Sequence, residues 1–234
     1  MIYKQQAYVE LKRRLINCEY PPGSCINEAV LVEELGFSRT PIREALALIE
    51  QEGFVRIMPK KGVFVTGISL NDVKQIFQTR KEIEPITLRL AAPNLPSKEL
   101  AEFHGRFIEK TPDIRSGLHL DMAMHLFIIE HCGNRHIIEM MHRVFEENTR
   151  IIISSKQNEV EIHDARAEHA EILQLLLAGK TENAAASMLE HLRHCERAAL
   201  EFFYNNMSSN IKPDFSYKAS LDLIRKIPKK ILTD

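Results

Sequence analysis

The chain has no tryptophan and only 9 glycines in 234 residues. Scarce glycine, beside many Ala, Leu, Ile, Glu and Arg, favours helices over loop-rich β folds. No run of 18 apolar residues occurs, so no transmembrane helix is expected. The first stretch, MIYKQQAYVELKRRL, alternates charged and apolar side chains and lacks the apolar core of a signal peptide. A cytoplasmic location is therefore expected. Cysteines 18, 25, 132 and 195 stand alone and form no C-x-x-C pair. Zinc knuckles and redox motifs have no support, and buried or inert reduced thiols are expected. Histidine is missing from the first 103 residues, and all ten histidines lie between 104 and 194. The two parts of the chain should do different chemistry.

What is present bounds the class. A hydrophobic fraction of 44% and a charged fraction of 27% exclude wholesale disorder and collagen-like chains. At about 150 residues per domain, the length predicts one to two domains. The formal net charge is −1, but it divides unevenly. Residues 1–66 carry 9 Lys/Arg against 8 Asp/Glu, and the remainder carries 22 against 24. The total neither demands nor forbids DNA, so local placement of charge decides.

The N-terminal third is ordered in an informative way. Ala7, Val9, Leu11, Leu15 and Ile16 recur at helical spacing, and EYPPG breaks that helix. Asn27 caps a second helix from Glu28 to Leu35, with Gly36 suited to a left-handed C-terminal position. A third helix follows in SRTPIREALALIEQEG, with Ser38 or Thr40 as its cap and Pro41 in the first turn. Ile42, Ala45, Leu46 and Ile49 share its inner face, while Arg39, Thr40 and Arg43 cluster off it. Two β-rich runs, Phe54–Ile57 and Val63–Thr66, then flank a tip holding Lys60, Lys61 and Gly62. This order is a winged helix-turn-helix. The third helix would enter a major groove, where Arg39 or Arg43 can donate twice to guanine O6 and N7. The wing lysines would neutralise phosphates, and Gly62 would permit close backbone approach to a groove.

The paired PPG, ELGFSRTPIREAL and EGFVRIMPKKGVFV resemble the DNA-binding domain of GntR-type bacterial transcriptional regulators. That resemblance implies that Ser38, Arg39, Thr40 and Arg43 occupy DNA-reading positions and Gly62 the wing-tip position. One departure stands out. Many family members carry an arginine in the second helix where this chain has Ala29, which puts affinity or operator preference in question.

After the short join Thr66-Gly67-Ile68, Ser69 and Asp72 form a capping box. Apolar residues then recur at helical spacing, predicting helices over 69–91, 97–109, 114–132, 134–154, 160–178 and 182–205. The fold class is therefore mainly α: an N-terminal winged helix-turn-helix over 1–66 and an all-α bundle of six or more helices over 69–205. Residues 206–234 form a tail with a candidate short helix over 216–227.

Within the bundle, Asp121 and His125 lie four apart on one helical face and can clamp one cation. His169 and His191 sit 22 residues apart across a break at Gly179, so antiparallel neighbours can bring them level. Three imidazoles and a carboxylate suit zinc, nickel or other divalent transition metals, with manganese as a further candidate. From spacing alone His194, His163 and His131 are rivals. Arg80 begins R-K-E-I-E and either pairs with Glu84 at i, i+4 or faces the interior and grips a carboxylate.

TRKEIEPITLRLAA, D-x-x-x-H at 121–125, GN at 133–134, EH at 168–169 and HL at 191–192 resemble the FCD effector domain of the FadR branch of GntR regulators. The resemblance implies a metal held by Asp121, His125, His169 and His191, all four present here. It also implies Arg80 near a small organic acid. It further implies a homodimer on an inverted-repeat operator of double-stranded DNA and, for most members, repression released by a metabolite. Two other functions compete. One is a metal-dependent hydrolase in the helical domain, with His163-Asp164 echoing an HD dipeptide. The other is a DNA-binding regulator with a purely structural metal and no effector.

Overall fold

A computed structural model describes residues 2–109, 113–155 and 163–207. The candidate helix over 216–227, the tail after 207, Pro112 and the start of the helix expected at 160 lie outside the described residues.

The chain opens with α1 (Ile2–Ile16), whose Ala7, Leu11 and Leu15 are buried on one stripe. The Pro21-Pro22-Gly23 turn leads into a short strand, β1 (Cys25–Ile26). The side chain of Asn27 accepts the Ala29 amide and caps α2 (Glu28–Leu35), and Gly36 closes it in the left-handed conformation. Helix α3 (Arg39–Gln51) follows at once, with Ile42, Ala45, Leu46 and Ile49 buried. Ser38 stands at the cap position of α3 without a side-chain cap bond. Strands β2 (Val55–Met58) and β3 (Gly62–Val65) form the hairpin, and β1 adds to its edge in the order β1-β3-β2. Both pairings are antiparallel, with Ile26 opposite Val63 and Met58 opposite Gly62. The expected winged helix-turn-helix is present. The strand at Cys25–Ile26 was not expected, because two residues are too short for a period-2 pattern to be seen.

That strand changes the account of Gly62. Its φ is 113°, and a Cβ there would lie 2.9 Å from the carbonyl oxygen of Ile26. Glycine is required here by the crossing of β1, inside the domain. Cys25 on the same strand is exposed and Cys132 is buried, while Cys18 and Cys195 are intermediate, so the thiols are not uniformly buried.

The second part is helical throughout its described residues. Ser69 and Asp72 form the capping box that starts α4 (Leu70–Ala91). A single 3-10 turn over Ala92–Asn94 precedes α5 (Ser97–Ile108). Then come α6 (Ile114–Glu130), α7 (Arg135–Ser154), α8 (Arg166–Leu177) and α9 (Thr181–Met207). Helix α8 begins at Arg166 because the carboxylate of Asp164 accepts the Arg166 amide, which fixes a non-helical approach. Helix α4 packs on α9, α5 on α8, and α8 on α9. The cores are separate in sequence. One runs from Ala7 to Val65, and the others draw on Val73 to Ala199. The seam between them is polar. Lys12 bridges Glu52 and Glu146, and Arg150 donates to the carbonyl of Thr66.

Candidate DNA interface and candidate metal centre

Ser38, Arg39, Thr40 and Arg43 are all exposed at the N-terminal end of α3. Lys60 and Lys61 are exposed at the hairpin tip, with Lys60 at φ 64°. Arg39 and Arg43 lie at the N-terminal end of α3, whose partial positive charge adds to theirs. Arg43 carries a partner that sequence reasoning missed. Its Nε lies 2.8 and 2.9 Å from the two carboxylate oxygens of Glu28, in the first turn of α2. The Arg43 side chain remains 67% exposed, so the pair orients it without withdrawing it from solvent.

The histidines from three helices converge. Nε2 of His169 on α8 lies 3.3 Å from Nε2 of His125 on α6 and 3.2 Å from Nε2 of His191 on α9. Oδ1 of Asp121 lies 3.1 Å from His125 Nε2 and 3.3 Å from His169 Nε2. One ligand atom from each of the four residues falls within 4.8 Å of the others. The turn at Gly179, φ 69°, returns α9 antiparallel to α8 and brings His191 level with His169. A tetrahedral site with metal–nitrogen distances of about 2 Å separates neighbouring donors by about 3.3 Å. The donor spacing matches that figure, and all four donors are the residue types a transition metal takes. The group fits a metal.

The outward ring nitrogens explain why the inward ones converge. Nδ1 of His125 is 2.5 Å from Glu84 Oε2, and Nδ1 of His191 is 2.8 Å from Glu168 Oε2. A carboxylate at Nδ1 holds the proton there and turns the Nε2 lone pair to the centre. Neither glutamate was foreseen as a partner of these rings. Glu168 was visible only as the residue before His169, and Glu84 only as a neighbour of Arg80.

Arg80 resolves differently from the choice the sequence posed. It is 4% exposed and faces the interior, yet its Nε also pairs with Glu84 Oε1 at 2.5 Å. The i, i+4 pair and the buried guanidinium are one arrangement. Nη1 reaches Asn148 Oδ1 at 3.3 Å, and the rings of Phe77 and Phe145 lie against the guanidinium at 5.5 and 4.7 Å. Burial opposes ionisation of Glu84, but Arg80 and His125 hold its carboxyl down at about 2. Asp121 is likewise held well below the usual range, against its burial, by His169 and His125.

His131 is turned to the backbone of its own helix, with Nδ1 2.7 Å from the Phe127 carbonyl. His163 pairs with Glu168, whereas Asp164 pairs with Arg166. The two residues of the His-Asp dipeptide therefore do not converge on one partner.

Among the described residues no helix is long and apolar enough to cross a membrane. A model of the bacterial regulatory proteins of the gntR family matches residues 3–65, and an FCD domain model matches residues 75–194. An HTH-type transcriptional regulator of Bacillus subtilis, YdhC, is 28% identical over 204 residues, spanning 83% of this chain and 90% of that protein. The Nta operon transcriptional regulator of Aminobacter aminovorans is 27% identical over 182 residues, covering 76% and 85% of the two chains. The solved Escherichia coli McbR/YncC shares the fold, with a TM-score of 0.72 at 21% identity over 86% of this chain and 98% of that one. The chain belongs to the GntR family of DNA-binding transcriptional regulators, with an FCD effector domain behind its winged helix.

Proposed function

We propose that this regulator is a homodimeric repressor of an inverted-repeat operator, released by a small organic acid bound beside a divalent transition metal. The observation that carries the effector half is the convergence of three imidazole Nε2 atoms and one carboxylate oxygen on a single point. Asp121, His125, His169 and His191 would hold the ion, and Glu84 and Glu168 orient the rings. Zinc, with nickel or manganese as alternatives, would supply a Lewis-acid grip on a carboxylate oxygen of the effector. Arg80 is assigned the second grip. A guanidinium has about five N–H donors, and here two go to Glu84 and Asn148. Aromatic faces on Phe77 and Phe145 keep water from that cation.

On the DNA side, Ser38, Arg39, Thr40 and Arg43 are assigned to base and backbone contacts in the major groove, and Lys60 and Lys61 to phosphates. Gly62 is assigned the wing-tip position, where its missing Cβ admits the β1 strand and leaves the backbone open to a groove. Two recognition helices are needed for two half-sites, which is the reason for a dimer. The acid must bind one arrangement of the winged domains better than the other in order to act.

The test uses tag-free protein and DNA from upstream of its own gene, read by fluorescence anisotropy, with metal content measured in parallel. Wild type is expected to carry metal and to lose operator affinity when small hydroxy- and dicarboxylates are added. His169→Ala is expected to lose the metal and the response while still binding the operator. Full metal occupancy in that variant sinks the ligand assignment. Operator affinity unmoved by any acid, with chelation lowering the melting temperature, selects the purely structural metal. That second reading is favoured by the deep burial of the three histidines, each 1% exposed.

A further inference from the structure

A second group of ligating side chains lies on the outer side of the same α8–α9 seam. His163 precedes α8, Glu168 sits in its first turn, and His194 is one turn beyond His191 on α9. One ligand atom from each falls within 4.8 Å of the others. Glu168 is the hub. Its Oε1 lies 2.6 Å from His194 Nδ1, and its Oε2 lies 3.2 Å from His163 Nε2 and 2.8 Å from His191 Nδ1. The rings of His163 and His194 are edge to face at 5.9 Å. Unlike the inner histidines, these side chains meet solvent, at 29% for His163 and 41% for His194.

We propose that His163, Glu168 and His194 form a second, outer site for a divalent transition-metal ion, coupled to the inner histidine cluster through the carboxylate of Glu168. Two imidazoles and one carboxylate are a borderline donor set that takes zinc, copper or nickel and leaves the remaining positions to water. A cation bound here replaces the ring-to-carboxylate hydrogen bonds that now hold the three side chains together. Neighbouring helix positions explain why there are two sites rather than one. Glu168 and His169 are adjacent on α8 and diverge by about 100° around the helix axis, so His169 turns inward while Glu168 reaches the rim.

The coupling follows from the shared carboxylate. Glu168 fixes the proton of His191 and strengthens it as a ligand. A cation drawing on Glu168 weakens that support, and two like charges nearby repel. The outer site is therefore the weaker of the two, and filling it loosens the inner one. The outer site stands on its own residues, and only its coupling rests on the inner metal reading.

The experiment titrates zinc chloride into tag-free, chelator-stripped full-length protein, read by native mass spectrometry and calorimetry. Wild type is expected to take two ions per chain in two resolved steps. The double variant His163→Ala with His194→Ala, both at positions that meet solvent, should take one, with the affinity of the tighter wild-type step. His169→Ala should also take one, more tightly than the weaker wild-type step, because the inner ion that repels it is gone. Equal stoichiometry in wild type and the double variant overturns the proposal. So does a single wild-type ion that is lost in His169→Ala. A single ion lost only in the double variant upholds the outer site and overturns the inner one.

Discussion

Arg150 of α7 donates through Nη2 to the backbone carbonyl of Thr66, 2.6 Å away, and so ties the effector domain to the last residue of the wing. The same guanidinium lies 5.2 Å from the ring of Phe54, pairs with Glu147, and is 1% exposed. Two residues earlier on α7, Asn148 holds Arg80 beside the histidine cluster. One rigid helix thus touches both the candidate effector site and the junction. Arg150→Met keeps the volume but removes the tie. It should cost about 1–3 kcal/mol in urea unfolding, as expected for lost hydrogen bonds to a charged group. It should also blunt the effect of the acid on operator binding while leaving metal content unchanged. An undiminished response would show that coupling runs elsewhere.

Arg43→Ala removes a two-point donor at the exposed end of α3. Specific operator binding should weaken by about 1–3 kcal/mol, while binding to scrambled DNA changes little. Glu28→Gln releases Arg43 from its partner and removes a negative charge near the phosphates. It should tighten binding to scrambled DNA and narrow the ratio between the two sequences. Anisotropy on both DNAs, with circular dichroism to confirm folding, provides the measurement. An unchanged ratio in Arg43→Ala would remove this residue from base reading.

Arg80→Ala is a poor probe of effector binding, because it strands the buried charge of Glu84. It should destabilise the protein by about 3 kcal/mol and disturb His125 as well. Arg80→Lys keeps the charge and loses the planar fork. The lysine variant should melt close to wild type, bind the operator normally, and need more acid for release. A wild-type dose response in Arg80→Lys would assign Arg80 to structure alone.

Metal binding should expel a proton. Burial disfavours a charged His125, but Glu84, with Asp121, lifts its value to about 9. His191 moves the other way, down to about 3, through burial and the neighbouring His169. At neutral pH the metal-free protein therefore carries a proton on His125, and that proton is lost only as pH rises through about 9. Zinc affinity for the inner cluster should climb about tenfold per pH unit from about pH 6 to about pH 8, with about one proton released. Calorimetry in buffers of different ionisation enthalpy counts that proton. Affinity independent of pH would contradict the assignment.

Much of this was legible from residue order. The S-R-T-P-x-R-E-A-L core, the paired prolines and the basic hairpin tip specify the winged helix, because each part is local and patterned. Asp121 and His125 were legible because i, i+4 is fixed by the helix itself. The turn at Gly179 made His169 and His191 candidates, but spacing left His194, His163 and His131 as rivals, and the resemblance to the FCD domain made the choice. What stayed hidden is set by packing between distant segments. Glu28 meets Arg43 across a helix-turn-helix angle, and Glu84 meets His125 across 41 residues. The β1 strand was hidden by its length, and the polar seam at Arg150 by the distance from Thr66. Each charge in these contacts looks in the sequence like an ordinary solvated one.

The polar seam between the two sets of cores has a consequence for folding. Apolar interfaces weld neighbouring units into one cooperative block, since opening them exposes oil-like surface to water. Here the described contacts across the join include ion pairs and hydrogen bonds, among them Lys12 with Glu146 and Arg150 with Thr66. Water can take over such contacts when they open. The winged helix and the helical bundle should therefore unfold as separate cooperative blocks, with two melting steps in scanning calorimetry; a single step would show that the seam welds them. Ions or acids held by the bundle would move one step and leave the other in place.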